Sequence, residues 1–140
     1  MKITINNQNP KYRMPILLWR KRAKAVLQAL GRGRQALNVI FTDENQILQL
    51  NQDYLHHQYV TDVISFAGLG DNEEFLGEIY ICLEQAERQA PDYDNSFDDE
   101  VLTLIVHGIL HLVGYDDLKP ADREAMFRKQ QELVDLVRHA

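Results

Sequence analysis

The sequence predicts one α+β domain, residues 1–140, in which a small mixed β-sheet is packed by helices. Three observations carry this. Short segments rich in β-branched and aromatic residues alternate with stretches whose apolar residues recur every three to four positions. Within them stands one long apolar run, EVLTLIVHGILHLVG, that suits a buried helix. At 140 residues the chain is long enough for a single core burying roughly two-thirds of its unfolded surface.

Each element has its own signal. Residues 2–6 alternate Ile3 and Ile5 with polar neighbours, the period of a strand. From Pro15, the positions Ile16, Trp19, Ala23, Val26, Leu27 and Leu30 follow helical spacing, with Gly31 placed to end the helix. ALNVIFT, residues 36–42, predicts a second strand, and a short helix through Ile47, Leu50 and Tyr54 follows. TDVISF (61–66) and LGEIYIC (76–82) predict an antiparallel strand pair joined by the turn-prone GLGDNEE. Glu84 to Ala90 suits a short helix stopped before Pro91, and PDYDNS a loop. Ser96 with Asp99 resembles a capping box ahead of the apolar helix, and Pro120 opens an amphipathic helix through Met126, Phe127, Leu133 and Val137.

Charge is divided unevenly. The net charge of −6 argues against a polyanionic partner, yet residues 1–42 hold nine bases and no acid, while all 21 acids lie from Asp43 onward. Arg20, Lys21, Arg22 and Lys24 ride on the first helix as a candidate RNA-binding face; a merely solvated helix face is the plain alternative. The single cysteine, Cys82, cannot form an internal disulfide, and the start MKITINN lacks the apolar stretch of a signal peptide. A cytoplasmic location with no membrane partner is therefore expected.

The stretch HGILHLVGYDD, residues 107–117, carries the chemistry. Residues four apart share one helix face, so His107 and His111 can aim at one point. Gly114 lets the chain leave the helix and fold back, which brings Asp117 toward the pair. Three such ligands with a vacant fourth position for water are what a catalytic zinc ion requires, and they lower the pKa of that water from 15.7 to roughly 7. The alternatives are core histidines, ligation by Asp116 instead, or an aspartate that only caps the helix near Pro120. Cys82 is a conceivable fourth ligand, although a buried, inert thiol is the simpler expectation.

This segment resembles the signature of the YbeY family of bacterial endoribonucleases and rRNA maturation factors, H-G-x-L-H-L-x-G-Y-D-H, in which three histidines bind zinc. Ten of its eleven template positions are met. LNQDY (50–54), TDVISF and LGEIYIC are similar to further family blocks in the same order, so the resemblance runs from about Asn38 to the last helix. It implies one zinc ion per chain on a zincin-like helix, held by His107, His111 and Asp117. It also implies single-strand-specific cleavage in small-subunit rRNA 3′-end maturation and ribosome quality control, with ribosomal RNA and the small ribosomal subunit as partners.

Two positions depart from the pattern. Asp117 stands where the family has its third histidine, and Leu55 where it has an arginine implicated in RNA handling or catalysis. A carboxylate is an acceptable zinc ligand, but its charge makes bound water less acidic and favours harder metals. Leucine cannot clamp a phosphate as a guanidinium does; His56 and His57 either compensate in part or simply face solvent. Thr61, Asp62 and Ser65 are candidates to support the site or ordinary turn and strand-edge residues.

Hydrolysis of RNA needs a nucleophile, charge stabilisation at the phosphoryl oxygens and a protonated leaving group; an ion supplies the first two. Two other activities compete. A metalloprotease of the H-E-x-x-H type uses the glutamate beside its first histidine as general base, and Gly108 stands there instead. An RNA- or ribosome-binding assembly factor with weak or lost cleavage would account for both departures.

Overall fold

In the computed structural model, which describes residues 2–68 and 74–138, the β-branched segments become four strands: β1 Ile3–Asn7, β2 Ala36–Thr42, β3 Val63–Ala67 and β4 Phe75–Cys82. They form one sheet in the order β1-β2-β4-β3. The first three in that order run parallel, and β3 is antiparallel to β4, which makes the sheet mixed as expected. The turn expected between β3 and β4 falls largely on residues 69–73, outside the described residues. The helices are α1 Ile16–Ala29, α2 Glu44–Leu55, α3 Leu83–Gln89, α4 Phe97–Leu112 and α5 Pro120–Arg138.

Strand alternation sorts the helices onto the two faces. Leu37, Val39 and Phe41 of β2 and Ile79 and Ile81 of β4 point to the larger core, where they meet Trp19, Ala23, Val26 and Leu27 of α1 and the apolar residues of α4 and α5. Trp19 packs edge-on against Phe41 with ring centroids 5.9 Å apart. The alternate residues, Ile64 of β3 with Tyr80 and Cys82 of β4, face a smaller cluster covered by Ile47 and Leu50 of α2. The architecture is therefore one α+β domain with α1, α4 and α5 on one face and α2 on the other.

Local differences from expectation have local causes. β3 begins at Val63, where the Asp62 carboxylate accepts the Val63 N–H at 2.8 Å and the Asp62 carbonyl accepts the Cys82 N–H of β4 at 2.9 Å. The expected loop at PDYDNS instead begins with a 3₁₀ turn, Ala90–Tyr93; Pro91, which lacks an N–H, sits in its first turn where no donor is needed. At Ser96 only half of the capping box forms: the Ser96 hydroxyl accepts from Asp99 N–H, while the shorter Asp99 side chain pairs with Arg138 at 3.4 Å. The reciprocal box lies at α2, where Asp43 and Gln46 satisfy each other's backbone N–H groups.

Two glycines set the position of α4. A Cβ at Gly108 would stand 2.9 Å from Ile79 Cγ2 and 3.0 Å from Ser65 Oγ, so the helix lies against β3 and β4 only because the side chain is missing. Ser65 Oγ uses that proximity to donate to the Gly108 carbonyl at 3.2 Å. At the other end Gly114 has φ +106°, and the Tyr115 and Gly114 N–H groups return to the carbonyls of Leu110 and His111 at 2.9 and 3.2 Å. That paired pattern is a Schellman stop, which reverses the chain toward the helix it has just left.

Candidate metal centre

The reversal at Gly114 brings three donors together. His107 Nε2 and His111 Nε2 are 3.1 Å apart, and Asp117 Oδ2 is 3.6 Å from His111 Nε2. One ligand atom from each of the three residues lies within 4.8 Å of the others, the only such group of three or more His, Cys, Asp or Glu among the described residues. A tetrahedral ion bound at roughly 2.0–2.1 Å places neighbouring donors about 3.3 Å apart, which the 3.1 and 3.6 Å separations approach. The donor set of two imidazoles and one carboxylate belongs to catalytic rather than closed structural sites.

Hydrogen bonds outside the group determine which ring nitrogens face inward. His107 Nδ1 lies 2.9 Å from Gln130 Oε1 on α5, so Nδ1 carries the proton and leaves the Nε2 lone pair directed at the site. The 3.1 Å between His111 Nε2 and His107 Nε2 is the spacing of two donors that share one cation. His111 sits in the last turn of α4, where the partial negative charge of the helix terminus adds to the attraction for a cation. The His111 and Asp117 side chains remain 33% and 42% exposed, which leaves one side open to solvent and substrate.

The two aspartates divide their roles. Asp116 Oδ1 accepts the Leu118 N–H at 3.0 Å and shapes the turn into α5. Asp117 keeps its carboxylate for the histidines, while Arg123 Nε holds its backbone carbonyl at 3.2 Å. Cys82 is excluded as a fourth ligand, because it is buried in the cluster on the opposite face of the sheet from α4. Burial also pushes its thiol up to about 11.

The supporting residues differ from those expected. Ser65 binds the α4 backbone, Thr61 turns to Asp62, and Asp62 caps β3 and accepts from Gln89, so these side chains brace the sheet and its neighbours rather than the metal centre. Gln130, which does orient His107, carries no local signal, since nothing in an amphipathic helix reveals which polar residue meets another helix. His56 ends α2 in the left-handed conformation and the His57 ring packs against Tyr59, both exposed.

A family model described as Endoribonuclease YbeY matches residues 4–138. The chain belongs to the YbeY family. Among curated relatives, the Endoribonuclease YbeY of Salinibacter ruber is 33% identical over 143 residues, covering 96% of this chain and 91% of that protein. That of Flavobacterium psychrophilum is 39% identical over 113 residues, covering 80% and 79%. A solution structure from Thermotoga maritima matches with a TM-score of 0.69 at 32% identity, covering 96% of this chain and 88% of that one. The YbeY fold thus accounts for the whole described architecture, and the three-residue group falls on the YbeY signature stretch, His107 to Asp117.

The basic face of α1 is partly committed elsewhere. Arg20 Nε donates to the Ile3 carbonyl at 3.0 Å, and Arg22 lies over the Trp19 ring at 4.7 Å and 4.0 Å from Asp98. Lys21 and Lys24 are exposed. Asp98 lies in the first turn of α4, nine residues and about 14 Å along the helix before His107, so Arg22 sits toward the end of α4 opposite the metal centre. Among the described residues, no helix is long and apolar enough to cross a membrane.

Proposed function

We propose that this protein is a metal-dependent endoribonuclease, specific for single-stranded RNA, that acts in 3′-end maturation of small-subunit ribosomal RNA and in ribosome quality control in the cytoplasm. The convergence of His107, His111 and Asp117 within 4.8 Å carries the reading, together with the activity named for its YbeY relatives. His107, His111 and Asp117 hold one zinc ion. When bound, zinc supplies a Lewis acid toward a phosphoryl oxygen and makes a coordinated water more acidic. The chain's own residues do the rest. Gln130 keeps the His107 lone pair inward, the Schellman stop at Gly114 presents Asp117, and the exposed Lys21 and Lys24 attract the flanking phosphates of a longer RNA.

A glutamate general base of the protease kind has no place at position 108, where Ile79 and Ser65 occupy the space a side chain would enter. The test is cleavage of a single-stranded RNA and of precursor small-subunit rRNA by zinc-loaded protein. Cleavage abolished in the His107→Ala, His111→Ala double variant is expected. RNA that stays whole while remaining bound would instead identify an assembly factor.

A further inference from the structure

Between α4, α5 and the 3₁₀ turn runs a groove of about 380 Å³ that reaches the metal centre at His107. Its far wall is polar. Gln89 Nε2 donates to Asp62 Oδ2 at 2.9 Å and to Glu100 Oε2 at 2.8 Å, and Asn95 donates to Glu100 Oε1 at 2.9 Å. Glu100 is 2% exposed, so this carboxylate is a built feature of the interior. Two aromatic rings from different elements, Tyr93 of the 3₁₀ turn and Phe127 of α5, also line the groove and are 67% and 56% exposed.

This chemistry selects its occupant. No lysine or arginine is among the lining residues described, so the groove does not suit a phosphate. The carboxylate oxygens already receive N–H donors, and each keeps a spare acceptor position at which a further N–H donor joins the Gln89 amide. Exposed aromatic rings stack on bases regardless of sequence, and carboxylates read amino groups on base edges. We propose that this groove binds the base of a nucleotide beside the one cleaved, stacked on Tyr93 or Phe127, and that Asp62 favours bases bearing an exocyclic amino donor. The inference rests on the RNA-cleaving reading for its place in the reaction.

Metal-free protein is titrated with cytidine and with uridine, which differ by an N4 amino donor against an O4 acceptor, and backbone amide resonances are followed. Cytidine is expected to shift Tyr93, Thr103, Leu104 and Phe127 and to bind at least about fivefold tighter than uridine. Tyr93→Ala and Phe127→Ala, both surface changes, should together weaken either nucleoside about tenfold or more. Asp62→Asn, which keeps an acceptor for Val63 N–H, should erase the preference. Equal binding of the two nucleosides to the unsubstituted protein, or shifts confined to other surfaces, would overturn the proposal, as would magnesium alone shifting this wall. Because no metal is needed, the outcomes separate: RNA cleavage without cytidine binding removes the base site alone, and cytidine in the groove without cleavage removes the nuclease reading alone.

Discussion

Gln130 Oε1 on α5 accepts from His107 Nδ1 at 2.9 Å, a contact that fixes the ring of one candidate ligand across 23 residues of chain. Replacing Gln130 with Leu is expected to weaken zinc binding about 10–100-fold, the usual effect of removing a partner that orients a ligating histidine. Gln130→Glu keeps an acceptor and should recover most of the affinity. Chelator competition measures both. The ¹⁵N shifts of His107 in metal-free protein should show loss of the Nδ1–H tautomer in the Leu variant, a change that altered packing alone does not predict.

Gly108→Ala places a methyl group 2.9 Å from Ile79 Cγ2, against a strand that cannot retreat without disturbing the sheet. Overpacking of this kind costs about 1–3 kcal/mol. Urea unfolding should register that loss, and an unchanged midpoint would show that α4 can lift from β4.

Gly114→Ala meets no steric obstacle, since nothing lies within 4 Å of a Cβ there, but φ +106° is a conformation an alanine resists. A loss of about 1 kcal/mol or more is expected. Zinc affinity should fall with it, because the same turn presents Asp117.

Much of this was legible beforehand, and the omissions share a cause. Alternation in β1 and β2 and helical spacing in α1 and α5 are local patterns, so strands and helices fell close to their expected bounds. The spacing of His107, His111, Gly114 and Asp117 is likewise local: one helix and its stop bring the donors together. Gln130 and the Gln89 bridge between Asp62 and Glu100 depend on which elements meet in space, as does the face of the sheet on which Cys82, buried as expected, lies. The 3₁₀ turn at Pro91 was hidden for a different reason, because proline marks both loops and first turns.

Burial, and then the hydrogen bond to Glu87, raise the Tyr12 hydroxyl from its ordinary 10.0 to about 12. A pKa raised on folding means that the neutral form is favoured in the native state. The associated stability is complete below pH 10 and is lost as pH rises through 12. The midpoint of thermal unfolding should therefore fall as pH rises between these values, and fall less in Tyr12→Phe.

Cys82, raised by burial to about 11, should resist thiol reagents near neutral pH in the native protein and react on unfolding. Rapid labelling of the native protein would mean that the α2 face opens readily.

The central claim is that His107, His111 and Asp117 bind one ion, and a zinc titration of the metal-free protein measured by calorimetry tests it most directly. The account predicts one saturable site per chain that is lost in His107→Ala and His111→Ala and weakened in Asp117→Asn. The absence of a saturable site, or a site indifferent to all three substitutions, would contradict it.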